Sequence, residues 1–379
     1  MTDAARAVAS SASDAQSRLR LIRTPGIGPV TYRQLVERFG DATRAIEAVP
    51  TLARRGGGKA PVIPPAEQIA REMAQVERLG AHYLFLGDAD YPPLLAEMEN
   101  APPAITARGD IGLAHRSVVV AMVGARNASA AACRFARGLA QELAAGGAAV
   151  ASGLARGIDT AAHVGALGRQ GGGGTIAVIA GGIDVVFPPE NARLQDEVAE
   201  RGLLLAEMPP GTEPRARHFP HRNRIIAGLA QGTVVVEAAP RSGSLITARL
   251  AGEAGREVMA VPGSPLDPRA QGCNLLIRDG ATLVQTAADV LDQIRPIDSR
   301  VLPLHGVRSP VDGFHGAPPE DASDAARVRI ASLLGPVPVA VDELVRQSDW
   351  PPAVVHMVLL ELELAGRLDR HAGGRVALA

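Results

Sequence analysis

Four arginines and one phenylalanine lie close together in a stretch that contains no acidic residue. The five side chains, all within ten residues, are Arg215, Arg217, Phe219, Arg222 and Arg224. Guanidinium groups bind phosphate oxygens through forked N–H donors, and an aromatic ring offers a face on which a base can stack. The pattern therefore indicates a site for a flexible phosphodiester strand. Taken alone, the stretch is equally typical of a solvated basic surface loop.

Seven short apolar or β-branched segments recur through the central part of the chain, most of them separated by amphipathic helical stretches. They are residues 118–123, 148–151, 175–180, 203–205, 233–236, 257–261 and 282–284. Near-continuous apolar strands that alternate with helices predict a parallel sheet with helices on both faces. Such sheets bind ligands at the carboxyl edge, and small or polar residues follow these strands.

Three turns at this edge could bind anions. Residues 124–127 include Arg126, residues 152–159 include Gly153, and residues 241–247 open a helix. Free N–H groups at a helix N-terminus attract negative charge, although capping alone also explains Gly and Ser there. Three such turns at one edge, beside the arginine stretch, favour an extended anion-binding groove.

Composition and charge narrow the class of protein. Formal net charge is -1, from 39 basic and 40 acidic residues, so nucleic-acid binding requires a local patch. The two cysteines lack Cys-x-x-Cys spacing, which argues against a disulfide framework, a redox motif and a zinc site. Neither an apolar leader nor a run of about eighteen apolar residues occurs, so we expect a cytoplasmic protein without a membrane span.

The N-terminal part predicts two short helices joined by a hairpin that contains Gly26 and Gly28. This arrangement resembles a helix-hairpin-helix, in which backbone N–H groups at the turn approach a phosphate. Gly26 and Gly28 are therefore candidate phosphate contacts. A helical module that uses the turn only for packing explains the pattern equally well.

The C-terminal part has the element order of a winged helix: helix, strand, helix, helix and two strands. Its would-be recognition helix, at residues 351–364, contains no arginine or lysine. A reader of the major groove needs hydrogen-bond donors at that position, so docking on protein is favoured over reading duplex.

The pattern divides the chain into five segments. We predict a mobile tail at 1–15, a helical domain at 16–80, an α/β domain at 81–295 with its core at 116–295, a linker at 296–325 and a winged helix at 326–379.

Nothing in the sequence requires catalytic chemistry. Asp159 and His163 lie one helical turn apart, but a third ligand is not evident, so a capping aspartate and a packed histidine are favoured over a metal site. The Gly-x-Ser-x-Gly elbow of hydrolases is absent. We therefore predict a protein that is not an enzyme and has no metal or cofactor.

Six segments resemble the DprA/Smf family of bacterial DNA-processing proteins. They are residues 123–126, 152–159, 219–226, 236–238, 242–248 and 261–263. The resemblance implies an extended Rossmann-like α/β domain with a parallel sheet, between an N-terminal helix-hairpin-helix (SAM-like) domain and a C-terminal winged helix. Residue 125 is alanine where many relatives have serine, which removes one hydroxyl donor and keeps the turn.

The resemblance also implies a function. It predicts a non-catalytic mediator that binds and protects incoming single-stranded DNA, forms a homodimer around residues 274–281 and loads the RecA recombinase during natural transformation. The residues expected to line the strand-binding groove are Gly124, Arg126, Ser152, Gly153, Arg217, Phe219, Arg222, Asn223, Arg224, Ser242, Gly243 and Ser244.

Two other functions compete with this prediction. A nucleotide-processing hydrolase could use a related Rossmann-like fold, but the Pro-Gly-Gly-x-Gly-Thr-x-x-Glu signature of those enzymes is absent. A transcription factor acting through the winged helix is disfavoured by the apolar recognition helix.

Overall fold

The computed structural model describes residues 3–168, 172–294, 322–371 and 373–379. The chain divides into two compact units. We call residues 71–302 the central unit, and residues 1–70 together with 303–379 the terminal unit. The division falls within the helix formed by Ala66–Arg78.

The helices of the described residues, in chain order, are α1 (Asp3–Ile22), α2 (Pro29–Phe39), α3 (Ala42–Arg55), α4 (Ala66–Arg78), α5 (Pro93–Ala96), α6 (Ala130–Ala145), α7 (Ile158–Leu167), α8 (Ala192–Arg201), α9 (His218–Leu229), α10 (Gly243–Glu253), α11 (Gln271–Arg278), α12 (Ala287–Ile294), α13 (Asp324–Ser332), α14 (Val341–Ser348) and α15 (Pro352–Leu364). In the described part of the chain, no helix is both long enough and apolar enough to span a membrane.

One nine-stranded sheet forms the centre of the central unit. Its strands are β1 (His82–Phe85), β2 (Ala104–Gly109), β3 (Val119–Gly124), β4 (Ala149–Ser152), β5 (Thr175–Gly182), β6 (Leu203–Met208), β7 (Gly232–Val236), β8 (Glu257–Ala260) and β9 (Thr282–Leu283). The spatial order is β1-β2-β6-β5-β4-β3-β7-β8-β9. Seven neighbouring strands are parallel to one another: β6, β5, β4, β3, β7, β8 and β9. Strand β2 is antiparallel to both of its neighbours, β6 and β1.

The side chains of each strand point alternately to the two faces of the sheet. Both faces are therefore apolar, and helices cover each of them. Val119 and Val123 of β3 pack in the core that includes Leu95 of α5 and Ile225 of α9. Met122, which points the other way, packs in the core that contains residues of α6, α7 and α12.

The predicted α/β fold is therefore confirmed, with one correction to the sheet. The seven predicted segments are the parallel strands β3 to β9. The sheet is nevertheless mixed, because residues 104–109 form β2 and pair antiparallel with Leu203–Ala206 of β6. Pro102 and Pro103 precede this strand, so their lack of an N–H removes no hydrogen bond from it.

In the terminal unit, the N-terminal helices and the winged helix share one core. A three-stranded sheet of β10 (Val339–Ala340), β12 (Arg375–Leu378) and β11 (Leu368–His371) accompanies α13 to α15. Leu21, Leu35 and Leu52 from the N-terminal helices are buried in the same cluster as Val355 and Leu359 of α15. The apolar helix α15 is thus buried within this shared core.

The predicted tail and the predicted linker compare differently with the structure. Helix α1 begins at Asp3, within the segment for which we predicted a mobile tail, and the alanine-rich composition of that segment favours a helix. Of the predicted linker at 296–325, residues 296–321 lie outside the described residues.

Candidate nucleic-acid interface

An open cleft of about 720 Å³ lies at the carboxyl edge of the sheet in the central unit. Its walls come from the turn after β3, the first turn of α9 and the turn that opens α10. Its charged lining residues are three arginines and one acid: Arg126, Arg222, Arg241 and Asp159. The first turns of α9 and α10 contain no acid. The positive ends of two helices and the excess of arginine make the cleft suited to an anion.

Arg126, Phe219 and Arg222 form a wall that this cleft shares with a smaller one of about 250 Å³. We call these three residues the shared wall. The guanidinium carbon of Arg126 lies 4.9 Å from the centroid of the Phe219 ring, and that of Arg222 lies 5.9 Å away. Exposed Phe187 is next to them, with 5.8 Å between its ring centroid and that of Phe219. A partly exposed ring beside two cations offers both contacts that a single strand uses, stacking and phosphate pairing.

Arg222 is the buried member of the shared wall. Its side chain is 7% exposed, and its Nη1 lies 4.0 Å from Oδ2 of buried Asp159. Burial, opposed by the negative charge of Asp159 and assisted by the positive charge of Arg126, lowers the pKa of Arg222 to about 10. The group therefore stays charged at neutral pH. Burial likewise raises the pKa of Asp159, and the positive charge of Arg222 opposes that rise.

Gly153 leaves the space that the Arg222 guanidinium occupies. A Cβ at Gly153 would lie 1.4 Å from Nη1 of Arg222. Gly153 lines the smaller cleft, and its lack of a side chain allows the guanidinium to pack against the backbone of the turn after β4.

Hydrogen bonds from buried side chains hold the turn at residues 152–159. The Leu154 N–H donates to Nε2 of His163 (3.2 Å), and Asn191 Nδ2 donates to the Leu154 carbonyl (2.8 Å). Thr175 Oγ1 donates to the Val150 carbonyl, so it accepts from Nδ1 of His163 at 2.8 Å. His163 is thus a neutral packed residue with one donor and one acceptor nitrogen in use. Among the described residues, no cluster of His, Cys, Asp and Glu could hold a metal.

The stability of the fold should depend on pH through His163. Burial, together with a smaller effect of the positive charge of Arg222, lowers the pKa of His163 from 6.5 to about 3. The unfolded chain therefore binds one more proton between these values. The stability due to neutral His163 is complete above pH 6.5 and is lost as the pH falls toward about 3, by about 1.4 kcal/mol per pH unit.

Urea unfolding at several pH values would measure this loss against the variant His163→Gln, which does not titrate. We expect the difference in free energy of unfolding between the wild type and His163→Gln to shrink as the pH falls from about 7 to about 5. A constant difference between the two proteins would contradict the assignment of a neutral, buried His163.

Glu237, directly after β7, already binds part of the predicted anion site at the turn after β3. The Ala125 N–H donates to the Glu237 carbonyl at 2.7 Å. The N–H and hydroxyl of Ser129, the N-cap of α6, both donate to the Glu237 carboxylate. The prediction of free N–H groups in residues 124–127 is therefore wrong at Ala125, because the main-chain carbonyl of Glu237 accepts from it. The Glu237 carboxylate binds Ser129, at the adjoining N-terminus of α6. Exposed Arg126 remains as the cation of this turn, and Gly124 packs closely on the Val236 carbonyl.

The turn that opens α10 lies across the cleft. Ser242 caps the helix, accepts from the Ser244 N–H at 3.4 Å and lies 2.8 Å from the Ser244 hydroxyl. Gly243 is exposed, and Asn223 of α9 reaches its carbonyl at 3.5 Å. These four predicted residues line the large cleft together with Gly124, Arg126, Phe219 and Arg222.

Three predicted residues line neither cleft. Ser152 is fully buried, and its hydroxyl donates to the Met122 carbonyl at 2.6 Å, which ties β4 to β3. Arg224 is buried in an ion pair with Glu207 of β6. Arg217 is exposed immediately before α9. Of the predicted groove residues, Ser152 and Arg224 therefore stabilise the fold around the cleft.

The glycine hairpin lies in the terminal unit. Gly26 has a φ of +82°, and Gly28 is the N-cap of α2. In the first turn of α2, Thr31 donates through Oγ1 to the carboxylate of Glu363 on α15, at 2.8 Å. An acid of the winged helix thus already contacts the start of the helix at which a phosphate was predicted.

Phe187, Asp159 and Glu237 were not predicted as parts of the site. A phenylalanine between a valine and a proline gave Phe187 no recognisable signal, and its position beside Phe219 depends on the fold. Asp159 was predicted only as a cap. Glu237 carried a signal as the one acid directly after a β-branched run that ends at the sheet edge.

Family models match the whole arrangement of domains. A model described as DNA recombination-mediator protein A matches residues 82–295. A DprA-like N-terminal HHH domain matches residues 12–74, and a DprA winged helix domain matches residues 315–374. These matches confirm the predicted helix-hairpin-helix and winged-helix modules.

Similar curated proteins carry the names Smf and DprA. Protein Smf of Synechocystis sp. is 33% identical over 383 residues, which cover 92% of this chain and 95% of that protein. Protein Smf of Escherichia coli is 37% identical over 316 residues, which cover 83% and 82%. DNA processing protein DprA of Streptococcus pneumoniae is 48% identical over 208 residues, which cover 54% of this chain and 71% of that protein.

Two solved structures share the fold. DprA of Streptococcus pneumoniae superposes with a TM-score of 0.66 at 36% identity and covers 74% of this chain and 98% of its own. DNA processing protein A of Helicobacter pylori superposes with a TM-score of 0.51 at 27% identity and covers 56% and 94%. The latter structure is described as revealing a single-stranded DNA binding mode.

Proposed function

The chain belongs to the DNA recombination-mediator protein A family, and from this premise we propose that its large cleft binds single-stranded DNA. The observation that carries the proposal is the shared wall, in which the guanidinium carbons of Arg126 and Arg222 lie 4.9 and 5.9 Å from the centroid of the Phe219 ring. The description of the Helicobacter pylori relative as a single-stranded DNA binder supports the same class of ligand.

The arrangement of the cleft favours a single strand over a duplex. Base stacking on Phe219 requires an unpaired base, whereas a duplex hides its base faces within the stack. Arg126, Arg241 and the helix N-termini would hold phosphates without reading sequence. We therefore expect binding that depends on strandedness and salt and only weakly on sequence.

We further propose that the protein is a non-catalytic mediator that protects incoming strands in the cytoplasm and loads RecA on them during natural transformation. Such a role requires a surface on which a recombinase can replace the mediator. We propose a homodimer through the central unit as well. The region around residues 274–281 suits this role because Leu275 is 40% exposed, and Leu283 and Leu266 nearby in sequence are 46% and 91% exposed.

A nucleotide-processing hydrolase is the competing function. Among the described residues that line the large cleft, Asp159 is the acid, and it is buried beside Arg222. A general base needs to reach a substrate or a water molecule, whereas the Asp159 carboxylate is only 8% exposed and is paired with Arg222. The cleft is thus better suited to binding than to hydrolysis.

Fluorescence anisotropy with labelled oligo-dT and a duplex of equal length, over a salt series, would test the proposal. We expect the single strand to bind more tightly, and we expect Arg126→Ala to reduce the slope of log K against log salt by about 0.7. Equal affinity for duplex, or nucleotide hydrolysis without strand binding, would contradict it. A RecA ATPase assay on strands coated with single-strand binding protein would test loading separately.

Gly153→Ala should weaken strand binding by about tenfold. The new Cβ overlaps the Arg222 guanidinium, which has little room to move because it is buried, and overpacking of this kind costs about 1–3 kcal/mol. The same anisotropy titration measures the effect. Gly138→Ala is the matched control, because its Cβ would meet nothing within 4 Å and it lies within helix α6. Equal affinity of the two variants would show that strand binding does not depend on the position of the Arg222 guanidinium against Gly153.

A further inference from the structure

Glu237 has a strained backbone at the edge of the site. Its φ is +55°, in the left-handed region that residues other than glycine adopt only under constraint. Such a conformation persists where surrounding contacts over-determine it, and it is common at functional sites. The side chain of Glu237 is 10% exposed, so the constraint lies in a packed part of the structure and not on an open loop.

The contacts of Glu237 fix both ends of one turn. Its carbonyl accepts from the Ala125 N–H at 2.7 Å, at the start of the turn after β3. Its carboxylate accepts from Ser129, at the end of that turn, through the N–H at 3.1 Å and the hydroxyl at 2.6 Å. Arg269 lies 3.4 Å from the same carboxylate and is itself paired with Asp267.

Arg126 is the charged residue of the turn that these contacts hold. It follows Ala125 directly, and its guanidinium lies over Phe219 in the shared wall. We propose that Glu237 is a positioning residue for Arg126, which fixes the turn so that the guanidinium meets the DNA phosphate. This inference rests on the proposed function, because it assigns a role within the same strand-binding site.

The charge of Glu237 argues for positioning and against direct contact with DNA. A carboxylate near a phosphate site repels the ligand, so its presence lowers affinity unless it contributes something else. Its hydrogen bonds to the N-cap of α6 compensate for its charge, since acids are favoured at helix N-termini. Glu237 and Ser129 already accept from N–H groups at the start of α6. We therefore expect Arg126, and not the amides of α6, to bind the phosphate.

The test is a double-mutant cycle measured by anisotropy with labelled oligo-dT over a salt series. Glu237→Ala should weaken binding about tenfold and reduce the salt slope by about 0.7, as Arg126→Ala does. Glu237→Gln keeps an acceptor for Ser129 and should retain wild-type affinity. The double variant Arg126→Ala/Glu237→Ala should bind no more weakly than Arg126→Ala alone.

Additive effects of the two substitutions would overturn the inference, as would a Glu237→Ala protein with the wild-type salt slope. If Glu237→Ala fails to fold, Ser129→Ala removes the hydroxyl that donates to the Glu237 carboxylate and so tests the same turn. The loss of affinity that it causes should also vanish in the Arg126→Ala background. Thermal melting of each variant separates loss of fold from loss of position. If the wild type itself bound no single strand, the proposed function would fail and not only the role of Glu237.

Discussion

Replacing Phe219 by alanine should weaken single-stranded DNA binding by about 1–3 kcal/mol, which is about 5- to 150-fold in Kd. The ring is the aromatic member of the shared wall and lies within 5.9 Å of both guanidinium carbons. Stacking of a base on this ring carries no charge, so the salt slope should stay at the wild-type value. Anisotropy titrations at two or more salt concentrations measure both quantities.

Phe219→Tyr is the matched control, because it keeps a ring at the same position. We expect it to bind within a few fold of the wild type. Phe187→Ala should have a smaller effect than Phe219→Ala, because Phe187 contacts the Phe219 ring but lines only the smaller cleft. Wild-type affinity for Phe219→Ala would show that bases do not stack at this wall.

Replacing Asp159 by alanine should lower the free energy of unfolding by about 3–5 kcal/mol, because it leaves the Arg222 guanidinium buried without its acidic partner. The substitution also removes the acceptor for the Ala155 N–H in the turn after β4. Urea unfolding at neutral pH measures the loss. The variant should bind single strands more weakly as well, because Arg222 would move toward water and leave the shared wall.

Glu207→Ala separates these two effects. It leaves Arg224 buried without an acid in the same way, so it should destabilise the fold to a similar extent. Arg224 lines neither cleft, so strand affinity at temperatures where the protein is folded should remain at the wild-type value. Equal losses of affinity in both variants would contradict a specific role for the Asp159–Arg222 pair.

Much of the fold is predictable from the sequence because the parallel strands are buried on both faces. Such strands are runs of Val, Ile, Leu and Ala, like Val119–Gly124, and each is followed by the small or polar residues of a turn. The winged helix is predictable for a similar reason, since turn residues separate its short elements. Strand β2 was not among the predicted segments, because local rules give no information on its pairing with β6, which is distant in sequence.

The composition of the site is predictable only in part. Arg126, Phe219 and Arg222 could be predicted because clustered arginines with an aromatic ring have one evident chemistry. Whether a polar side chain near the cleft faces the ligand or the core depends on partners distant in sequence. Ser152 donates to the Met122 carbonyl, and Arg224 pairs with Glu207. No sequence pattern shows that these residues are partners.

The central claim, that a single strand lies on the shared wall, is tested most directly by photocross-linking. An oligonucleotide that carries 5-iododeoxyuridine would be irradiated on the full chain, and the cross-linked tryptic peptides would be identified by mass spectrometry. We predict that the main cross-link maps to the peptide from His218 to Arg222, which contains Phe219, and that Phe219→Ala abolishes it. Cross-links confined to the hairpin around Gly26 or to the winged helix, with none in this peptide, would contradict the claim.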